Sequence, residues 1–351
     1  MVFALTIPIF SVRTNNIEKE IWRHLELFTY EAFTNEWVKD EIAKKQIISC
    51  IEQAAEIYSV SRSISFVTRP ILLYFGMQRL AKALIFLKNP TLSLEKLRHH
   101  GIAGGGISDK TESFLNSKVH IKKEGIFAEF SKLTTRNVVR IKRTVYHGGD
   151  YHSDVPSLQE SDMSELLGLT EFELADLLSL VPELHDLSHY LHFSRKSLAK
   201  CHYSIRELPD GKIDTLLTIG KAFGLNFLKS SVKIIDDFKD CKENSSKFVL
   251  TEKRADKALI AESMVESDTG ELFLVCPTKP CVRISDINVH YLLMFLLNYV
   301  ARYKAPLLKE ILEGENTVVV ALIKKFIETS QIKFPKLILD QLNDCYFAFE
   351  P

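Results

Sequence analysis

Arg69, Lys82 and Arg302 stand inside strongly apolar stretches of a 351-residue chain. Isolated charges are rarely buried, because stripping their water is very costly. Such cations need either carboxylate partners or an anionic ligand. Ion pairs or snorkelling stems would hold helices in register. A cleft carrying Arg69, Lys82 and Arg302 with His100 nearby would instead grip an anion such as phosphate.

Other chemistry-bearing residues fall into short patterns. Arg195-Lys-Ser-Leu-Ala-Lys-Cys-His202 is similar to the R-x4-6-H signature of HEPN ribonucleases. In that chemistry arginine stabilises a phosphate and histidine does acid–base work. The signature is short and common by chance, and it sits just before the Tyr203 hairpin rather than inside one of the strong helices. His185, His189 and His192 are four and three apart, so a helix would put them on one face, a spacing at which imidazoles share a metal. No Glu follows His185, so the H-E-x-x-H pattern is lacking and a solvated histidine face is the plainer reading. Cys276 and Cys281 would supply half a zinc site, but no second close pair exists. The six cysteines are irregularly spaced, as reduced thiols would be. The run Gly101-Ile-Ala-Gly-Gly-Gly106 lacks the Lys-Ser/Thr of a phosphate loop and reads as a flexible connection. No metal and no cofactor is expected.

Charge is balanced overall but not locally. Lys plus Arg and Asp plus Glu both number 45, so no whole-molecule field draws the chain to nucleic acid or membrane. Residues 118–147 nevertheless hold eight bases (Lys118, Lys122, Lys123, Lys132, Arg136, Arg140, Lys142 and Arg143) against two acids. Residues 150–186 hold ten acids and no Lys or Arg. The basic segment would suit nucleic acid, with Phe127, Phe130 and Tyr146 placed to stack bases. Alternatively the two segments neutralise each other, within one chain or across a homodimer.

The elements that must position these groups are mostly helices. Ile17, Ile21, Leu25 and Phe28, then Ile47, Ile51, Ala54 and Ile57, recur at helical spacing. Pro70 suits the first turn of a helix over 70–88, and Ser93 to His99 forms a short one. Lys118–Ile121 and Ile126–Phe130 read as a hairpin around Lys-Lys-Glu-Gly. Helices are expected at 162–167 and 171–192. Tyr203–Leu208 and Lys212–Leu217 flank the turn Pro-Asp-Gly, and 232–235, 247–251 and 272–275 are further strands. Helices return from about Asp286 to Phe347, interrupted near Gly314 and Pro335. The stretch Ile287–Tyr303 is apolar nearly all round and reads as a central buried helix, capped by Ser285 or Asp286, with Asn298 needing a partner. The fold class is therefore mainly helical α+β. Residues 1–100 and 285–351 build a helical core, and 101–284 form a β-containing middle region; no linker divides them, so one continuous globular unit is expected.

Two stretches carry a resemblance. One is Arg69-Pro-Ile-Leu-Leu-Tyr-Phe-Gly-Met-Gln-Arg-Leu-Ala-Lys-Ala83 with His100-Gly101. The other is Tyr291-Leu-Leu-Met-Phe-Leu-Leu-Asn-Tyr-Val-Ala-Arg-Tyr-Lys304 with Phe334-Pro335. Together they resemble the YaaC-like family of bacterial proteins, with Tyr74-Phe75 where a Tyr-Tyr pair is common. The resemblance marks Arg69, Tyr74, Gly76, Lys82, His100, Gly101, Arg302 and Tyr303, implies a cytoplasmic protein, and implies no catalytic residue. No export signal or bilayer-spanning segment is read from the sequence. The expected function is nucleic-acid-associated or regulatory binding through residues 118–143. A HEPN-like ribonuclease, a phosphate-handling enzyme using Lys82, His100 and Arg302, and a homodimerising interaction protein are the alternatives.

Overall fold

Helices form at both ends of the chain where apolar spacing and capping agree. The computed structural model describes residues 8–107, 110–135, 137–145, 151–158, 171–188, 197–207, 213–220, 238–243, 247–252, 264–275, 284–314 and 317–350. After strand β1 (Ile9–Arg13) come α1 (Ile17–Glu26), α2 (Glu31–Trp37), α3 (Glu41–Ser61) and α4 (Arg69–Lys88). Asn16 caps α1 by accepting from the Lys19 N–H at 3.0 Å, and Asp40 caps α3 from the Ala43 N–H at 2.8 Å. The C-terminal arm supplies α8 (Asp286–Tyr303), α9 (Ala305–Glu313) and α10 (Thr317–Asn343), then β13 (Tyr346–Glu350). β13 pairs in parallel with β1, Ile9 opposite Tyr346.

The middle region adds β2 (Ile102–Gly105), β3 (Lys118–Ile121), α5 (Ile126–Leu133), β4 (Val138–Val145) and β5 (Tyr151–Leu158). Then follow β6 (Glu171–Glu173), α6 (Leu174–Leu178), α7 (His185–Ser188), β7 (Leu198–Glu207), β8 (Ile213–Gly220), β9 (Phe238–Glu243), β10 (Lys247–Glu252), β11 (Met264–Glu266) and β12 (Leu272–Val275). Its largest sheet runs β11-β12-β7-β8-β10-β9, with β4 pairing both β5 and β7. β2, β3 and β6 form a small separate sheet. The protein is mainly helical α+β, and the hairpin around Pro-Asp-Gly forms as β7 and β8.

One apolar core draws on α1, α3, α4, α5, α8 and α10 together. Leu293 and Leu297 of α8 are fully buried in it. Among the described residues, only α4 is long and apolar enough to cross a membrane, and most of its surface is packed inside this core.

Several local expectations give way to tertiary context. Ile126–Phe130 is not a strand: Ile126, Phe127 and Phe130 lie on the buried side of α5, and β3 pairs with β2 and β6 instead. A short apolar run fits either period, so packing decides it. The glycine run is not a loose connection either, since Ile102–Gly105 is a strand. Residues 171–188 form β6 and two short helices rather than one long one. Pro335 does not interrupt α10; Phe334 and Ile338 on either side of it are sealed in the core, which outweighs the backbone bond that proline cannot make. Ser285 occupies the N-cap of α8 but donates to the Thr134 carbonyl at 2.6 Å, tying α8 to the end of α5 instead of closing its own helix. The expected elements at 162–167 and 232–235 lie outside the described residues.

Candidate functional site

Tyr74, Gln78 and Lys82 follow one another at four-residue spacing, so α4 stacks them on one face. The first two are buried and Lys82 is half-buried. Against that face packs α8, with the rings of Tyr291 and Phe295 edge-on to Tyr74 at 5.5 and 5.4 Å. His100 enters from the turn before β2. Its ring lies 5.8 Å from Tyr74 and 6.4 Å from Phe295, centroid to centroid.

The backbone of that turn is clamped. The first N–H groups of a helix lack intrahelical partners, and here Ile126 N–H donates to the His99 carbonyl at 2.8 Å and Phe127 N–H to the His100 carbonyl at 3.0 Å. Gly101 and Gly125 both have positive φ, 75° and 111°. A Cβ on Gly125 would sit 2.6 Å from the Gly101 nitrogen, so this approach requires glycine.

Hydrogen bonding then orients the imidazole. Gln78 Nε2 donates to the Tyr74 hydroxyl at 3.0 Å and also contacts His100 Nδ1, which lies 3.2 Å from the same hydroxyl. A ring nitrogen that accepts from an amide carries no proton, which leaves the proton of neutral His100 on Nε2.

Lys82 and Arg302 complete the group. Burial lowers the His100 pKa, and the charges of Arg302, Lys82 and His99 lower it further. Burial and the neighbouring Arg79 lower Lys82 as well. Burial raises the pKa of the neighbouring Cys50 thiol, against the charges of Arg79 and Lys82, which lower it. No carboxylate pairs with Arg79, Lys82 or Arg302 among the described residues. Lys82 and Arg302 thus each bring positive charge to bear on His100 at a partly open surface, an arrangement that an anion would relieve.

Arg69 does not join them. Thirteen residues separate it from Lys82, roughly 20 Å along a helix. Its guanidinium donates to the carbonyls of Ile64 and Arg62 and lies 4.3 Å over the Phe66 ring, so it fastens the turn before α4.

Three of the eight bases in the basic segment have carboxylate partners. Lys118 pairs with Glu171 of the acidic stretch at 2.6 Å, Lys132 with Glu129 at 2.8 Å, and Arg140 with Glu266 at 3.7 Å. Lys122 and Lys123 are exposed. Phe127 and Phe130 cannot stack bases, because both are fully buried against Tyr291. His202 is exposed on β7 opposite Thr218. Arg136, Tyr146, His189, His192, Arg195, Cys276 and Cys281 lie outside the described residues, as do the side chains of Lys142 and Arg143.

A cavity of about 580 Å³ opens between α10, β4, β11 and the β1–β13 ribbon. Its buried charges were not foreseen. Lys333 bonds Glu183 at 2.7 Å and Asp286 at 2.8 Å. Burial alone would lower Lys333, but those two carboxylates outweigh it and hold the ammonium well above its ordinary range. Glu266 accepts from Arg140 N–H at 2.7 Å and from the Tyr346 hydroxyl at 3.2 Å. Asp340 accepts from Lys336 and from Phe347 N–H, while burial pushes its pKa up to about 6. Ser330, His290 and Asp286 line up at 2.9 and 3.5 Å. They mimic a hydrolytic relay, but Ser330 and His290 are fully sealed and no substrate reaches them. Burial lowers His290 to about 4, so it is neutral. These groups pin α8, α10 and β13 together through the bonds of Lys333, Lys336 and Tyr346, although Glu183 Oε2, Asp286 Oδ1 and His290 Nε2 are buried without a hydrogen-bond partner. The signal for them lay in Lys333, which falls seven residues after buried Phe326 on the core stripe of α10.

The family model described as YaaC-like Protein matches residues 23–342. The chain belongs to the YaaC-like family. No curated protein and no solved structure matches it. In this YaaC-like chain the matched span holds both helical arms and the middle region, and with them the whole Tyr74–Gln78–Lys82–His100–Arg302 group.

Proposed function

We propose that this YaaC-like protein is a binding protein for a small phosphorylated anion, held by Lys82, His100 and Arg302 between α4 and α8. What carries the reading is that Lys82 shares the α4 face of Tyr74 on which His100 packs, that Arg302 bears on the same imidazole, and that no carboxylate pairs with either cation among the described residues, beside a backbone clamped by Gly101 and Gly125. Lysine and arginine would supply charge, and His100 would donate Nε2–H to a phosphate oxygen. Tyr74, Lys82, His100, Gly101 and Arg302 are also positions on which the sequence resemblance rests. The nucleic-acid reading has less behind it, since Lys118 meets Glu171 within the chain and two of the three expected stacking residues, Phe127 and Phe130, are buried. That same pairing takes one base and one acid out of the charge argument for a homodimer. HEPN-like cleavage has no described partner for His202.

Calorimetric titration of the full chain with pyrophosphate tests the reading. Binding should weaken as salt rises, and Lys82→Met and Arg302→Met should each weaken it about tenfold while circular dichroism stays unchanged. Absence of binding, or folded variants that bind as the parent does, would refute it.

A further inference from the structure

We propose that the anion is the phosphate end of a nucleotide, whose base lies on the aromatic edge formed by Tyr299 and Tyr303; this rests on the anion-binding reading above. Phe295, Tyr299 and Tyr303 follow one another at four-residue spacing along α8. Their centroids are 6.3 and 4.8 Å apart in sequence order. The row begins at the ring of His100, beside Phe295, and ends at the surface. Phe295 is 5% exposed and Tyr303 is 62% exposed. Eight residues of helix rise about 12 Å, a span suited to a phosphorylated nucleoside lying along it.

Single exposed aromatics are common and carry no meaning alone. Tyr303 differs in its neighbours. The Arg302 guanidinium lies over its ring, 5.1 Å from the centroid, and the same arginine bears on His100. Tyr299 lies on β2 at Gly104, where a Cβ would come within 2.9 Å of its ring. A side chain there would push Tyr299 off the strand and break the row. Arg302 stands between His100 and the outermost ring, so a cation and exposed tyrosine faces lie side by side, which matches a ligand that carries both an anion and a flat aromatic group. Stacking on tyrosine tolerates any base, so the class is nucleotides rather than one of them.

Titration of the full chain with pyrophosphate, ribose 5-phosphate and ADP separates the two levels. ADP should bind at least about tenfold more tightly than pyrophosphate or ribose 5-phosphate. Tyr303→Ala should erase that advantage by weakening ADP binding about tenfold relative to pyrophosphate, while Tyr303→Phe, which keeps the ring under Arg302, should preserve it. Tyr303 is exposed, so the alanine variant should fold. Equal affinity for ADP and pyrophosphate, or an unaltered ADP affinity in Tyr303→Ala, would overturn the nucleotide assignment and leave the anion site standing. Failure of all three ligands to bind would remove both.

Discussion

Gln78 donates its side-chain amide to Nδ1 of His100, and this contact sets the tautomer of the imidazole. The donor comes from the middle of α4 and the acceptor from a turn 22 residues later. A buried amide therefore decides which face of an exposed ring can donate to a ligand.

Anion affinity at this site should depend on pH. His100 titrates below its ordinary 6.5, because burial, Arg302 and Lys82 disfavour its charged form. It is neutral at pH 7, and lowering the pH through its pKa adds a positive charge. Sulfate, whose own charge is constant there, should bind more tightly as pH falls from 7 towards 5. By reciprocity, bound sulfate should raise the His100 pKa. NMR titration of the imidazole with and without sulfate measures both; an unmoved pKa would place the anion elsewhere.

Gln78→Leu should weaken pyrophosphate binding by about 1 kcal/mol, the net worth of one hydrogen bond. Fold and melting temperature should change little by comparison with core truncations. A variant that binds as well as the parent would show that the tautomer does not matter.

Lys333→Met should destabilise the fold by about 3–5 kcal/mol, because Glu183 and Asp286 would be left buried without their cation. Urea denaturation reads this directly. A loss below about 1 kcal/mol would mean that water already reaches the pair.

Asp340 gives a pH signature of opposite sign to that of His290. Its folded pKa, about 6, exceeds the ordinary 3.8, so the folded state holds the extra proton between those values. Its contribution to stability should fall as pH rises from 4 to 6. The His290 value is lowered from 6.5 to about 4, so its contribution should rise over the same window. Asp340→Asn, which keeps an acceptor for the Phe347 N–H, should therefore make stability climb more steeply with pH than in the parent, by an amount on the order of 2 kcal/mol. Superimposable stability profiles would contradict the burial of this carboxyl.

Much of this was legible before any coordinates. α4 and α8 announced themselves through apolar runs, and Lys82, His100 and Arg302 through charge set in or beside those runs. Arg69 looked equivalent by composition, yet helix geometry places it at the far end of α4. α5 was hidden because Ile126–Phe130, four apolar or small residues and Glu129, fits two periodicities, and only its packing on Tyr291 selects one. The role of Gln78 was hidden for a different reason. Its partner is distant in sequence, and an amide on a helix gives no sign of what it will meet.

The touch between Gly101 and Gly125 has a consequence for descent. It joins main chain to main chain, so neither position can change and be rescued by a change at the other. Across related sequences these two sites should stay constant without covarying, and methods that infer proximity from correlated substitutions will miss the contact that holds His100 in place.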